Sequence, residues 1–258
     1  MHALQKLAQR YPAKRILITG STSGLGEAMA LQFAGAGFRV AVASRNPGKV
    51  AATAARIKEV GGEPLEIILD VTREQDFHAA AGLVTEHWGG LDILVNNAGI
   101  ITSGKLSAIG LDMWQQSFET DLWSVIHGCR ILLPLLVDSG GGHLVNVASA
   151  AGLLGPPDLA SYGVAKAGVI SLSESLAVEL VEEKIDVTVS CPTVFRSHLL
   201  DEEGHDSETM QGATFDGLQH EMETTSISSE DIAASLVEAM AKRRMYSVPQ
   251  RDARMQWW

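Results

Sequence analysis

Arg15-Ile16-Leu17-Ile18-Thr19-Gly20-Ser21-Thr22-Ser23-Gly24-Leu25-Gly26 is the stretch whose reading decides the fold. Arg15 to Thr19 is short, apolar and rich in β-branched residues, which predicts a buried strand. A glycine-rich turn follows at once, then a helical stretch from Glu27 to Ala36 with Gly37 behind it. Glycines in such a turn let the backbone bend tightly and let a ligand come close. The free N–H groups at the start of the next helix favour an anion, and a pyrophosphate is the natural occupant. The spacing is TGxxxGxG, not the commoner GxGxxG. Glycines that merely pack a strand on a helix are the plainer alternative, but the position after the first strand favours the ligand reading.

Working outward, the same pattern repeats. Strands are predicted over Arg39 to Ser44, Leu65 to Leu69, Leu91 to Val95, His143 to Val147, Asp186 to Cys191 and Tyr246 to Val248. Helices are predicted over Pro47 to Val60, Thr72 to Trp88, about Leu111 to Val137, about Leu159 to Glu183, and from Ser228 to Arg243. Pro47 suits a first helical turn, and Thr72 with Gln75 reads as a capping box. Strand and helix alternate without a linker or repeat. The expectation is an α/β, doubly wound, Rossmann-like fold: a parallel seven-stranded sheet with helices on both faces, in one domain over 1–258. Ligands of such sheets bind beyond the carboxyl ends of the strands. Gly20, Ser44-Arg45, Asp70, Asn97, Ser149 and Pro192 each fall at or just after a strand end, so all belong on one edge. Residues 193–226 are too long and polar for an ordinary connection and read as a substrate-binding lid.

Composition narrows the partners. The 258 residues are 46% hydrophobic and carry 31 acidic against 20 basic side chains, a net charge of −11. No basic stripe stands out, which argues against nucleic acid; Lys242-Arg243-Arg244 reads as the last turn of a helix, where cations meet the dipole. Cys129 and Cys191 have no ligand or disulfide spacing, so a reducing, cytoplasmic setting is expected, with no metal. His198 and His205 read as polar loop residues. Met1 to Arg15 lacks the apolar centre of a secretory signal. The longest apolar run, Ile131 to Val137, is too short to cross a bilayer, and no membrane partner is expected.

The chemistry gathers around Tyr162. Tyrosine ionises near pH 10 and is a poor acid or base at neutrality, but a nearby cation lowers that value. Lys166 lies four residues on, one turn along the same helix face. Ser149, at the end of the preceding strand, can reach the same substrate oxygen. Taken together, Thr19 to Gly26, Asn96-Asn97-Ala98-Gly99, Ser149 and Tyr162-Gly163-Val164-Ala165-Lys166 resemble the short-chain dehydrogenase/reductase family in order and spacing, over about 14–197. The resemblance implies that Tyr162 is the general acid or base, that Ser149 binds the substrate oxygen, and that Lys166 lowers the Tyr162 pKa and holds the nicotinamide ribose. It also implies cofactor contacts from Gly20, Ser21, Thr22, Ser23, Gly24, Leu25 and Gly26, then Asp70 and Val71 at the adenine and Asn97, Ala98 and Gly99 along the ribose. Pro192, Thr193 and Val194 would border the nicotinamide, and Ser197 would bond its carboxamide.

Two positions depart from the family. Asp121 stands where the family has a catalytic asparagine, which alters the proton path behind Lys166, and Thr193 replaces a glycine. In NAD-preferring folds an acid near the end of the second strand binds the ribose 2′-hydroxyl. Here Ser44 holds that place and Arg45 follows, which suits the 2′-phosphate of NADP(H), with NAD(H) as the alternative. Leu199, Leu200, Met210, Phe215, Leu218 and Met222 are candidates to line an apolar pocket for a bulky or hydrophobic ketone or secondary alcohol. A 3-oxoacyl-thioester reductase, a lyase or epimerase, and a non-catalytic NADP-binding regulator stay open as alternatives. By the same resemblance, the helices near 111–137 and 159–183 are the expected surface of a homodimer or homotetramer, and docking of Trp257-Trp258 would explain that apolar end.

Overall fold

A computed structural model describes residues 2–197, 213–250 and 255. Seven strands, β1 (Arg15–Thr19), β2 (Arg39–Ser44), β3 (Glu63–Ile68), β4 (Ile93–Asn96), β5 (Gly142–Val147), β6 (Ile185–Ser190) and β7 (Tyr246–Ser247), form one sheet in the order β3-β2-β1-β4-β5-β6-β7. Every pairing is parallel. The doubly wound α/β sheet expected from the alternation is therefore the one observed.

Strand geometry divides the core in two. Successive side chains on a strand point to opposite faces, so in β1 Ile16 and Ile18 enter one apolar cluster and Leu17 the other. The first cluster is closed by α1 (His2–Arg10), α2 (Gly24–Gly35), α3 (Pro47–Glu59) and α10 (Ser229–Ala241), through Leu7, Met29, Phe33, Ile57, Leu236 and Met240. The second is closed by α4 (Glu74–Trp88), α6 (Ser124–Asp138) and α8 (Ala160–Glu179), through Phe77, Val84, Leu132, Leu136 and Val169. The switch in winding falls at β1 and β4, which places a crevice above their carboxyl ends. Shorter helices α5 (Leu111–Phe118), α7 (Ala151–Leu154) and α9 (Ala213–Thr224) complete the described residues.

Several local expectations change. The helix expected over Leu111 to Val137 is three segments: α5, a π-helical turn at Glu119–Trp123, and α6 with Pro134 inside it. Over its full length, Leu111–Asp138, this helix is long and apolar enough to cross a membrane, which the run Ile131 to Val137 alone did not suggest. Its apolar face, with Cys129, Leu132 and Leu136, is spent on the sheet, and it holds the buried Asp121. Helix α4 starts at Glu74, two residues late, with no side-chain cap at Arg73. The Thr72 hydroxyl and N–H instead both donate to Asp70 Oδ1, at 2.8 and 3.0 Å, making a tight turn in place of the expected box with Gln75. Within the expected irregular stretch 193–226, Ala213–Thr224 is helix α9, and 198–212 lie outside the described residues. The terminal Trp257-Trp258 also lies outside them.

Candidate active site

The glycine turn is fastened on two sides. Thr19 Oγ1 accepts the N–H groups of Asn97 and Ala98 at 2.9 and 3.1 Å, and the Asn97 amide donates back to Thr19 O and Gly20 O at 2.9 and 3.1 Å. Gly20 has a left-handed φ of +63°, and a Cβ there would sit 2.9 Å from Ala98 Cα. At Gly26 a Cβ would lie 2.2 Å from Gly20 O. Glycine is thus required where the start of α2 approaches the turn. Ser21 is turned away from the crevice: its hydroxyl accepts the Ala43 N–H at 2.9 Å and ties the turn to β2.

One open cleft runs along the carboxyl ends of the strands. It is lined by Gly20 and residues 22–26 of the turn, Ser44 and Arg45 after β2, Asp70 and Val71 after β3, and 97–99 after β4. Tyr162, Lys166, Pro192 and Ser197 line its other end. The cleft also takes in Ile100, Thr72, Gln116, Thr120 and Phe195, none of which the sequence signalled. Gln250 was missed as well; it accepts the Thr193 N–H at 3.0 Å and donates to Val194 O at 3.4 Å, bracing that loop from 57 and 56 residues away. The Ser197 hydroxyl is buried at the cleft without a partner among the described residues. Among the described residues no cluster of His, Cys, Asp or Glu could hold a metal ion.

Helix α8 carries Tyr162 and Lys166 inward, both buried. The Lys166 ammonium stands 5.6 Å from the Tyr162 ring centre, donates to Val147 O at 3.3 Å, and pairs with Asp121 Oδ1 at 3.1 Å. Ser149 hydrogen-bonds the Tyr162 hydroxyl and accepts the Ala151 N–H at 3.2 Å. Burial raises the Tyr162 phenol above its ordinary value; Lys166 and Ser149 pull it down, Asp121 pushes it up, and the net direction is up. The sequence led us to expect a lowered phenol, and desolvation reverses that balance. Burial disfavours the Lys166 cation, but Asp121 and Tyr162 outweigh it, so its pKa is raised. Around the Tyr162 ring lies an apolar wall of Ile101, Leu159 and Met222, with Val194 and Leu218 against it. Of the expected pocket residues, Leu218 and Met222 of α9 are therefore present there. Leu199, Leu200 and Met210, and the Phe215 side chain, lie outside the described residues.

The family model described as short chain dehydrogenase matches residues 14–208. The chain belongs to the short-chain dehydrogenase family. It is an oxidoreductase of that family, and similar proteins span most of its length. An uncharacterized oxidoreductase of Listeria innocua is 34% identical over 203 residues, 78% of this short-chain dehydrogenase and 82% of the relative. A 3beta-hydroxysteroid dehydrogenase of Mediterraneibacter gnavus is 34% identical over 201 residues, covering 78% of this chain and 72% of the other. Among solved structures, a short chain dehydrogenase/reductase of Burkholderia phymatum in complex with NAD superposes with a TM-score of 0.88 at 28% identity, covering 94% of this chain and 90% of that one.

Proposed function

We propose that this short-chain dehydrogenase moves a hydride between NADP(H) and the carbonyl or secondary alcohol of an apolar, bulky substrate. The observation that carries the reading is Tyr162 and Lys166 at the end of a glycine-cradled cleft, with Ser149 hydrogen-bonded to the Tyr162 hydroxyl, against an apolar wall. The residues present fit a dinucleotide. Gly20 and Gly26 stand where a Cβ would strike Ala98 and Gly20, so the shape of the turn beneath the cleft depends on them, and the buried Ser197 hydroxyl has no partner among the described residues. The end of β2 offers Ser44 and Arg45 and no carboxylate, which supports a 2′-phosphate over a bare ribose hydroxyl.

When bound, the nicotinamide supplies the hydride chemistry. Ser149 orients the substrate oxygen. Tyr162 gives its proton to that oxygen in reduction and takes it back in oxidation. Lys166 fixes the positive charge beside the phenol and, with two N–H groups given to Val147 O and Asp121 Oδ1, has one left for the ribose. Asp70 and Val71 would hold the adenine end, and Asn97, Ala98 and Gly99 the ribose side, with Thr193 and Val194 braced by Gln250 at the nicotinamide end. The wall of Ile101, Leu159, Leu218 and Met222 contains no charged side chain, which favours a hydrophobic ketone. The named activity of the Mediterraneibacter relative, a 3beta-hydroxysteroid dehydrogenase, supports the same class. The side chains of Met222 and Leu218 against this wall support a substrate-lid role for α9. Exposed Trp123 on the π turn and Val164 and Val178 on α8 support a homodimer or homotetramer through those helices. Two free, buried cysteines agree with a reducing cytoplasm.

The test is Tyr162→Phe assayed against bulky ketones with NADPH and NADH. The variant loses about a thousandfold in kcat/KM while binding cofactor as before. Retained turnover would remove Tyr162 from the mechanism. Cofactor binding without turnover of any carbonyl class in the unaltered protein would favour the regulator.

A further inference from the structure

The π turn Glu119–Trp123 brings Asp121 into the wall behind Lys166, where its side chain is fully buried. Oδ1 accepts the Ile100 N–H at 3.0 Å and meets the Lys166 ammonium at 3.1 Å, while Oδ2 faces the Ser117 hydroxyl at 3.4 Å. Both oxygens are thus filled by protein donors, and a cation touches one of them. An amide in this place would accept from Ile100 equally well but would bring no charge. The room is tight: a Cβ on Gly99 would come within 2.7 Å of Asp121 Oδ1 and 3.0 Å of Lys166 Nζ, so glycine there lets the pair close.

We propose that Asp121 is a fixed counter-ion that cancels the charge of Lys166, keeps Tyr162 a protonated phenol across neutral pH, and so biases this site toward carbonyl reduction. The inference rests on Tyr162 as the group that moves the proton. Among the described residues the charged and titratable groups facing Tyr162 are few: Lys166 on α8, Asp121 on the π turn, and the Cys191 thiol after β6, with the Ser149 hydroxyl donating from the end of β5. The apolar side chains packed there are Met222 and Leu218 of helix α9 and Ile101 of the segment after β4. Lys166 is the one cation in this set, so what Asp121 cancels is not replaced. Burial raises the Asp121 carboxyl above its ordinary value; Lys166, the Ile100 N–H and Ser117 pull it down, and the net direction is up, so the charge of the carboxylate depends on its direct contact with the Lys166 ammonium.

The direction of bias follows from which form of Tyr162 each reaction consumes. In reduction the carbonyl carbon gains the hydride and its oxygen takes the phenol proton; the phenolate left behind is reprotonated from water. In oxidation the phenolate must already exist, to take the alcohol proton as the hydride leaves. A phenol that ionises late therefore runs reduction evenly through neutral pH and confines oxidation to alkaline pH.

The experiment titrates the phenolate by its ultraviolet absorbance in cofactor-free protein. Subtracting the Tyr162→Phe spectrum removes Tyr11 and Tyr246. Asp121→Asn should lower the Tyr162 midpoint by about one unit or more, and the alkaline rise of kcat for alcohol oxidation should move to lower pH by the same amount. Asp121→Ser, which also removes the charge, should move the midpoint the same way if the amide variant does not fold by thermal melting. If alkali unfolds the protein before the phenol titrates, the pH profile of oxidation takes over, and it should level off earlier in either variant. An unchanged or higher midpoint, or an unchanged profile, overturns the counter-ion role. The absorbance titration does not depend on turnover, so it can fail while Tyr162 remains the catalytic acid. Conversely, an inactive wild-type protein refutes the proposed reaction without touching the midpoint.

Discussion

Replacing Gly26 with alanine tests whether the glycine turn is a built cradle or incidental packing. Gly26 is buried and has no left-handed φ, so alanine is not strained by its backbone angles. The penalty is steric. The new Cβ would stand 2.2 Å from Gly20 O, 2.5 Å from Asn97 Nδ2 and 2.9 Å from the Gly20 carbonyl carbon. Normal contact needs about 3.5 Å, so the turn must move by about 1 Å relative to α2. Two of those atoms are backbone, and no rotamer change relieves them. The shift also breaks the Asn97 bond to Gly20 O, now 3.1 Å. Overpacking of this kind costs about 1–3 kcal/mol, and the lost hydrogen bond about 1 kcal/mol more. For a chain of this size that lowers Tm by about 6–12 °C. Displacing the N–H groups at the head of α2 should weaken NADPH and NADH binding at least about tenfold. Scanning calorimetry and titration calorimetry on one preparation read both. A Tm within about 1 °C of the parent, with an unchanged Kd for both nucleotides, would refute the steric reasoning and the cradle with it.

Arg45→Ala should raise the KM for NADPH about tenfold while leaving that for NADH nearly unchanged, measured with one ketone; an equal effect on both would mean the guanidinium does not select the phosphate. His143 supplies a pH prediction. It is fully buried, with Nε2 2.9 Å from Thr188 Oγ1 and Nδ1 3.5 Å from the Tyr11 hydroxyl, and burial lowers its pKa to about 3. Above pH 6.5 the ring is neutral in both folded and unfolded chains and makes no difference. As pH falls below 6.5 only the unfolded chain takes the proton, so stability is lost progressively down to about pH 3. The slope contributed is up to about 1.4 kcal/mol per pH unit. Urea midpoints across that range should fall less steeply in His143→Gln than in the parent, and parallel curves would contradict the assignment.

What was legible in the sequence was what local chemistry dictates. The ends of β1 and β2 fall where expected, because β-branched runs stop at a glycine and at Ser44. The edge location of Gly20, Arg45, Asp70, Asn97 and Pro192 follows from alternation alone, and the cleft gathers them. Helix α1 was not legible. Nine residues with one buried side chain, Leu7, make a marginal helix in isolation. It is held instead by Arg10, which donates to the carbonyls of Met240 and Ala241 some 230 residues away. Asp121 could be read as a departure able to offset the charge of Lys166, but not the π turn that carries it, nor that the two meet directly. Both depend on how α5 and α6 pack against α8. Gln250 gave no signal for the same reason: its partners are the backbone of a distant loop. The direction of the Tyr162 shift was misjudged because spacing shows the neighbouring lysine but not the burial around it.

The five-residue π turn also limits how this chain can vary in length. Such a turn is one extra residue held inside an otherwise α-helical path. Removing a single residue between Glu119 and Trp123 would let the helix run regularly. Because the wide turn absorbs that residue, α6 would keep Cys129, Leu132 and Leu136 on the sheet, and what is lost is the turn that sets Asp121 against Lys166. The helix cannot keep both its apolar face on β4 and β5 and its carboxylate behind Lys166 without that extra residue. Substitutions in the turn can be absorbed one at a time, whereas a deletion keeps the packing and gives up the proton chemistry.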